Sequence, residues 1–287
     1  MLERVVELLA CPHCASPLVQ VAGVLRCQNG HTHDVARAGY VSLLAGGSTA
    51  TSADTASMVA AREAFLDAGH YRPIADALAA ITAPALAGSA PVVIDVGAGT
   101  GYYLDRLLEG HPTATGIALD LSKHAVRRAV HRDPRIGGVV ADAWTRLPVR
   151  SRVASLVTCV FSPRNPAEFA RVLMPGGMLA VVSPAPDHLA AAIEALGLIG
   201  VESGKEERLT RSMAPHFTEA DSAPVEFAMD LGTEELALLG RMGPSARHIT
   251  DAEFATRSAR AGRCTVTASV VLRTWTCIAH QDALPGG

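Results

Sequence analysis

The sequence predicts a doubly wound α/β sheet preceded by a small metal-held ribbon, and three observations carry that prediction. Val92–Val96 is an apolar run that follows Pro91, ends in Gly97-Ala98-Gly99-Thr100-Gly101 and passes into a helical pattern from Tyr102 to Leu108, as a buried parallel strand turning into a helix does. Two further apolar runs, Ala114–Leu119 and Val139–Ala141, close on Asp120 and Asp142, so that with Asp95 three successive strands carry an acid at or near their ends. Nearer the N-terminus, Cys11-Pro12-His13-Cys14 and Cys27-Gln28-Asn29-Gly30-His31 have C-x2-C and C-x3-H spacing, which suits one tetrahedral metal.

Bulk properties agree with a packed α/β protein. The 287 residues leave room for one such domain plus smaller additions. Apolar residues make up 49% and charged residues 18%. No apolar run is long enough to span a membrane, and Glu3, Arg4 and Glu7 interrupt the N-terminal apolar stretch, so a cytoplasmic location with reduced cysteines is expected. The segments divide as a ribbon over 1–36, a linker with helices over 37–85, and the main domain over 86–287.

Taken in order, residues 1–10 read as a short amphipathic helix or strand. Leu18–Val21 and Val24–Arg26 follow as hairpin strands turned by Ala22-Gly23. So small a hairpin buries too little surface to fold alone, and zinc on Cys11, Cys14, Cys27 and His31 would stabilise it. His13 and His33 are near enough in sequence to compete as fourth ligand. His31 is preferred because its spacing from Cys27 closes the second turn. Four protein ligands leave no open position, so the metal's role is structural. Cys159, Cys264 and Cys277 sit in apolar, strand-like settings and read as core residues. Residues 45–57 are rich in Gly, Ser, Thr and Ala and read as a mobile connection. A helix follows from Met58 to Gly69, and another runs through about Ile81.

The glycine turn binds rather than merely connects, because glycines admit backbone N–H groups close to a ligand. Its spacing is Gly97-x-Gly99-x-Gly101, whereas the dinucleotide fingerprint needs its last glycine one place later, where Tyr102 stands. That disfavours NAD. With Asp95 before the turn, the stretch resembles motif I of class I S-adenosylmethionine-dependent methyltransferases, whose Rossmann-like sheet is doubly wound. The resemblance implies cofactor contacts from Asp95, Gly97, Gly99, Gly101, Tyr102, Asp120, Leu121, Asp142, Ala143 and Tyr71, with Asp120 on the ribose and Asp142–Ala143 near the adenine. Each acid could instead be a helix N-cap. Ser155–Phe161 is the fourth core strand and runs into Ser162-Pro163-Arg164-Asn165-Pro166, where the target base is expected. Leu173–Gly177 and Met178–Val182 form a turn and a fifth strand. Farther on, His188–Leu198 has helical spacing, Val225–Leu231 reads as a strand, and Cys264–Cys277 as a long strand near the sheet edge. Met242–His248 is a loop expected to border the cleft.

A more specific likeness combines Cys-Pro-His-Cys, Cys-Gln-Asn-Gly-His, Asp34-Val-Ala-Arg-Ala-Gly39-Tyr40-Val-Ser-Leu-Leu44 and Phe65-Leu-Asp-Ala-Gly-His-Tyr71, all before the glycine turn. Lys205-Glu-x-Arg208-Leu209 and Ala214-Pro-His-Phe217 follow it. In this order the pieces resemble the RlmA/TlrB family of 23S ribosomal RNA guanine-N1 methyltransferases, nearest its tylosin-resistance branch. The resemblance implies a zinc ribbon that helps recognise RNA, a 23S rRNA hairpin as partner, and a homodimer. Between Leu121 and Pro175 ten basic residues (Lys123, Arg127, Arg128, Arg132, Arg135, Arg146, Arg150, Arg152, Arg164, Arg171) face three acids, on a chain of net charge −3. That segregation suits phosphate contact. No spacing selects the general base; His70, His248 and a cofactor-side carboxylate are the candidates. Tyr71, Phe161 and Trp144 could stack on a flipped base. The competing functions are a class I methyltransferase acting on a small molecule, which would not need the ribbon, and a non-catalytic RNA-binding protein with a methyltransferase fold.

Overall fold

The computed structural model describes residues 2–45, 53–200 and 204–278. The predicted connection over 45–57 lies largely outside them. Residues Leu2–Arg4 and Val6–Leu8 form two short 3-10 turns. The ribbon's strands are β1 (Leu18–Val21), β2 (Val24–Cys27) and β3 (Thr32–Asp34), antiparallel in that order. The third strand carries His33, and its short polar sequence gave no alternation to reveal it.

β4 (Tyr40–Ser42) leaves the ribbon and joins the main sheet, pairing in parallel with β7 (Ile136–Val140). A three-residue strand inside the predicted linker is too short for periodicity to show. Helices α1 (Ala56–Asp67) and α2 (Arg72–Thr82) follow. Thr55 caps α1 by accepting from the Met58 N–H, and Pro73 sits in the first turn of α2, where a missing N–H costs nothing.

The main sheet then runs β5 (Val92–Val96), α3 (Tyr102–Glu109), β6 (Thr115–Asp120), α4 (Lys123–Arg132), β7, β8 (Ala154–Val160), α5 (Pro166–Val172) and β9 (Leu173–Pro184). After it come α6 (Ala190–Leu196), α7 (Lys205–Met213), β10 (Phe217–Leu231), α8 (Thr233–Arg241), α9 (Asp251–Ala261) and β11 (Cys264–Cys277). Spatial order is β10-β11-β9-β8-β5-β6-β7-β4. Strands β4 to β9 are parallel, while β11 is antiparallel to β9 and β10 to β11. Order reverses between β5 and β8, the switch point that opens a crevice at the carboxyl ends of a parallel sheet. Two predicted boundaries move: β7 starts at Ile136 through its two glycines, and β10 begins at Phe217; β11 is the long strand expected near the sheet edge, one place in from β10.

Alternation along the strands splits the core into two layers. Val93 faces a cluster with Phe65, Leu78, Leu104 and Leu236, supplied by α1, α2, α3 and α8. Ile94 and Val96 face another that contains Phe169, Trp275, Val5, Leu18 and Leu25. The ribbon therefore belongs to the second layer. Its attachment is reinforced by bridges between Leu9 and Val149 and by the Ala10 N–H donating to the Pro148 carbonyl at 3.0 Å. A Cβ on Gly137 of β7 would lie 2.2 Å from Val5 Cγ2, so the glycine makes room for the N-terminal turn. Gly137→Ala is expected to lower stability by about 1–3 kcal/mol through overpacking, and Val5→Ala in the same chain to restore part of it; thermal melts of the two single variants and the double variant check this.

Candidate cofactor cavity and metal centre

The ribbon brings four ligand atoms together. Two tight turns do it: Ala15 N–H donates to the Cys11 carbonyl at 2.8 Å and Gly30 N–H to the Cys27 carbonyl at 3.0 Å. Cys11, Cys14, Cys27 and His31 then place their Sγ and Nδ1 atoms within 4.8 Å of one another. The Cys14–Cys27 sulfurs are 3.7 Å apart, and His31 Nδ1 is 3.5 Å from Cys11 Sγ and 3.4 Å from Cys27 Sγ. A tetrahedral zinc with ordinary bond lengths has edges of about 3.8 Å between sulfurs and about 3.5 Å from sulfur to nitrogen. The donor set fits that metal. His33 Nε2 comes to 3.8 Å of Cys11 Sγ but lies outside the four, stacked on His13 at a ring separation of 5.8 Å.

At the sheet's switch point lies a cavity of about 770 Å³. Of the residues proposed from sequence, Asp95, Gly97, Gly99, Tyr102, Asp120, Leu121, Asp142, Ala143 and Tyr71 line it. Gly101 does not. Its φ is +77° and a Cβ there would lie 2.9 Å from Ala129 Cα, so the glycine serves the packing of α3 on α4. Gly97 has φ +73°, and a Cβ on it would meet Ser162 Cβ at 2.3 Å. The loops after β5 and β8 touch at that point, and the Ser162 hydroxyl donates to the Val96 carbonyl.

Asp95 is 2% exposed. Its Oδ1 accepts from the Thr158 hydroxyl at 2.8 Å, while Oδ2 has no partner among the described residues. Burial pushes its carboxyl up to about 7; the Thr158 hydrogen bond opposes this and the nearby Asp120 adds to it. Asp120 accepts from the Gly99 N–H at 2.9 Å and the Ser122 N–H at 2.7 Å, and burial raises its carboxyl against those two bonds. Thr100 Oγ1 and the Tyr103 hydroxyl are likewise buried without a partner among the described residues. Three orphaned polar atoms around one cavity need a polar ligand. The ammonium and carboxylate of S-adenosylmethionine would fit that need, the ammonium being a donor of the kind Asp95 Oδ2 lacks. Asp142 Oδ1 accepts from the Trp144 N–H at 2.9 Å, and Asn165 Nδ2 donates to the Ala143 and Thr145 carbonyls at 3.2 and 3.1 Å. That loop is therefore fixed.

Tyr71, Phe161 and His188 line the cavity as one cluster, with ring separations of 6.1 Å for Tyr71–Phe161 and 5.6 Å for Phe161–His188. Phe161 has φ +52°, rare for a bulky side chain and typical of functional sites. His188 Nδ1 accepts from the Ser269 N–H at 3.2 Å. The neutral ring therefore carries its proton on Nε2, 3.4 Å from the Tyr71 hydroxyl, and burial pushes its pKa down to about 4. Of the two histidines proposed as general base, His70 packs on Phe65 at a ring separation of 4.6 Å and His248 follows the 3-10 turn Pro244–Arg247. Neither lines the cavity.

Sequence reasoning missed His188, which sits in the turn between β9 and α6 with no motif around it. It also missed Arg62, which pairs with Asp54 at 2.6 Å and donates to the Met242 carbonyl at 2.7 Å. The predicted border loop is present: Met242, Pro244 and Arg247 line the cavity. The basic segment is less uniform than its composition implies. Arg128, Arg132, Arg135 and Arg171 are paired with Glu63, Asp67, Asp133 and Glu168. Two of these acids come from α1, which a local count cannot see.

Two outcomes test this site. Purified protein is expected to hold about one zinc per chain, and Cys11→Ser with Cys14→Ser to lose it, by elemental analysis. Because Asp95 is raised in the folded state, the cofactor-free protein loses stability as pH rises from about 4 to about 7. Asp95→Asn removes that dependence, so denaturant titrations should show the variant gaining on the wild type across this window.

Comparisons with known proteins complete the picture. The zinc-ribbon family described as "RlmA, N-terminal" matches residues 9–45, and a "Methyltransferase domain" family matches residues 93–177. The chain is 47% identical over 260 residues to the 23S rRNA (guanine(748)-N(1))-methyltransferase of Streptomyces fradiae, covering 90% of this chain and 92% of that one. It is 42% identical to a Micromonospora griseorubida protein provisionally named a 23S rRNA (guanine-N(1)-)-methyltransferase, over 92% and 95% of the two chains. Among solved structures, the YcgJ protein of Bacillus subtilis aligns with a TM-score of 0.51 at 16% identity, over 72% of this chain and 98% of that one, which shows the fold alone. With ribbon and methyltransferase sheet joined in one chain, and near-full-length identity of this degree, the chain belongs to the RlmA/TlrB family of 23S rRNA (guanine-N1-)-methyltransferases.

Proposed function

We propose that this S-adenosylmethionine-dependent methyltransferase modifies N1 of a guanine in a domain II hairpin loop of 23S rRNA, a target of the position-748 type, and thereby confers resistance to tylosin-type macrolides. The observation that carries the reading is the seating of the metal ribbon on the core of the sheet. Cys11, Leu18, Leu25 and Cys27 pack in one cluster with Ile94, Val96, Ile117 and Leu119, the strands that end at the cavity. A small acceptor would need no such lobe. The name of the Streptomyces fradiae relative supplies the nucleotide. A homodimer whose subunits together form the RNA groove belongs to the same proposal, and sedimentation of the protein tests it.

The cofactor supplies a methyl group already activated on a sulfonium, so the protein's task is positioning. Asp95, Asp120 and Asp142 with Gly97 and Gly99 would hold the donor, and Tyr71 lies beside Phe161. Guanine N1 lies on the Watson–Crick edge, so the base must leave any pair and enter the cavity. Phe161, strained and 39% exposed at the end of β8, offers it a ring face. His188 is held as a donor, so the N1 proton leaves to water or to a cavity carboxylate rather than to this ring.

Reverse transcription across ribosomal RNA treated with protein and cofactor is expected to stop at one guanine, because an N1-methyl group blocks pairing. Absence of that stop, with turnover on small acceptors, overturns the reading. Phe161→Ala should reduce turnover about 10- to 100-fold through lost stacking, with the affinity for S-adenosylhomocysteine, followed by calorimetry, within about twofold of wild type.

A further inference from the structure

We infer that Trp144 is a stacking platform for an unpaired nucleobase next to the target, flanked by phosphate contacts from Lys123, Arg127 and Arg146. The inference rests on the RNA reading above and goes beyond it by naming the surface that grips the strand outside the reaction cavity.

The chain has two tryptophans, and they lie in opposite surroundings. Trp275 is 1% exposed in the core, whereas Trp144 is 69% exposed on the cavity lining. An indole left in water is costly unless something covers it. The loop that presents it is fixed rather than loose: Asp142 Oδ1 takes the Trp144 N–H at 2.9 Å, and Asn165 Nδ2 clamps the carbonyls on either side, those of Ala143 and Thr145. A rigid aromatic face loses little entropy when a base stacks on it.

Its position is between the two parts of the molecule. Ala143, the preceding residue, lines the cavity, and Val149, five residues on, bridges Leu9 at the foot of the ribbon. Along the chain, Trp144 thus follows the cavity lining and precedes the segment that holds the ribbon. Among aromatic side chains, Trp144 and Phe161 are the exposed ones on the cavity lining. Phe161 stands at the end of β8 for the target, which leaves Trp144, after β7, for its neighbour.

The loop after β7 and the start of α4 follow neighbouring strands, since Asp120 of β6 pairs with Val140 of β7, and their exposed cations have the sign an RNA backbone requires. Arg146 is exposed two residues past the indole; Lys123 and Arg127 are exposed on α4, whose start follows the cavity residue Leu121. Unlike Arg128 and Arg132 on the same helix, these three cations have no carboxylate partner among the described residues. The one acid in the loop, Asp142, has an oxygen occupied by the Trp144 N–H.

The test uses the zinc-loaded full chain, a hairpin RNA carrying the target loop, and S-adenosylhomocysteine. Emission from Trp144 dominates the red edge because Trp275 is buried. The hairpin is expected to shield that emission from iodide, and S-adenosylhomocysteine alone to leave it quenchable. Trp144→Ala should weaken hairpin binding about 5- to 100-fold without changing the slope of log affinity against log salt. Trp144→Phe should recover most of the loss. Replacing Lys123, Arg127 and Arg146 by Ala should lower that slope by about 0.7–0.9 per lost contact. Hairpin affinity within twofold of wild type in Trp144→Ala overturns the inference. So does shielding by S-adenosylhomocysteine alone with loss of its affinity in Trp144→Ala, since the ring would then cover the cofactor. A wild-type chain that binds S-adenosylhomocysteine but not the hairpin overturns the RNA reading itself, and is told apart by that first measurement.

Discussion

The molecule depends on one close approach, that of the loops after β5 and β8, where Gly97 leaves no room for a Cβ against Ser162. Because the sheet's order reverses between these strands, their loops would diverge around a wide cleft were they not held together. The Ser162 hydroxyl on the Val96 carbonyl supplies the hold. With the two ends joined, Asp95 is enclosed beneath them and Phe161 is driven into a left-handed backbone at the rim. The acid's raised affinity for a proton follows from that enclosure, with Asp120 adding to it.

The ribbon adds a second constraint. Its own strands bury little; β1 keeps one buried residue in four. Metal coordination and docking on Ile94, Ile117 and their neighbours must together offset its conformational entropy. Because Leu18 and Leu25 share a cluster with Trp275 and Phe169, loss of the metal would loosen a layer of the catalytic sheet as well as the lobe itself. The cavity and the metal-held lobe are thus coupled through packing rather than through a flexible hinge.

Much of this was legible in the sequence, for identifiable reasons. The zinc ligands and the β5 turn show because their chemistry demands fixed spacing. The core strands β5, β6 and β8 show because they are buried on both faces and read as continuous apolar runs. β3 and β4 were hidden by length, since three residues carry no period. Gly101 was assigned to the cofactor because its motif position could not reveal Ala129 packed against it. His70 and His248 were raised by residue type alone, and only tertiary structure shows His188 in the cavity instead. The basic segment carries less free charge than its composition implies, partly because two of the acids paired with it, Glu63 and Asp67, lie some 65 residues away in α1.

The outermost strand has a consequence for how the protein behaves at high concentration. β10 offers a long unpaired row of backbone groups along one margin, the geometry that nucleates intermolecular sheets. Pro224 withholds an amide midway along it, and Asp221 and Glu226 give it a negative charge that a second copy would share, while Glu219 and Asp230 are paired with Arg273 and Arg263. Fibrillar self-association through this margin is thereby opposed by mutual repulsion and a missing donor, leaving the long antiparallel pair of β10 and β11 free to close the sheet without seeding aggregates.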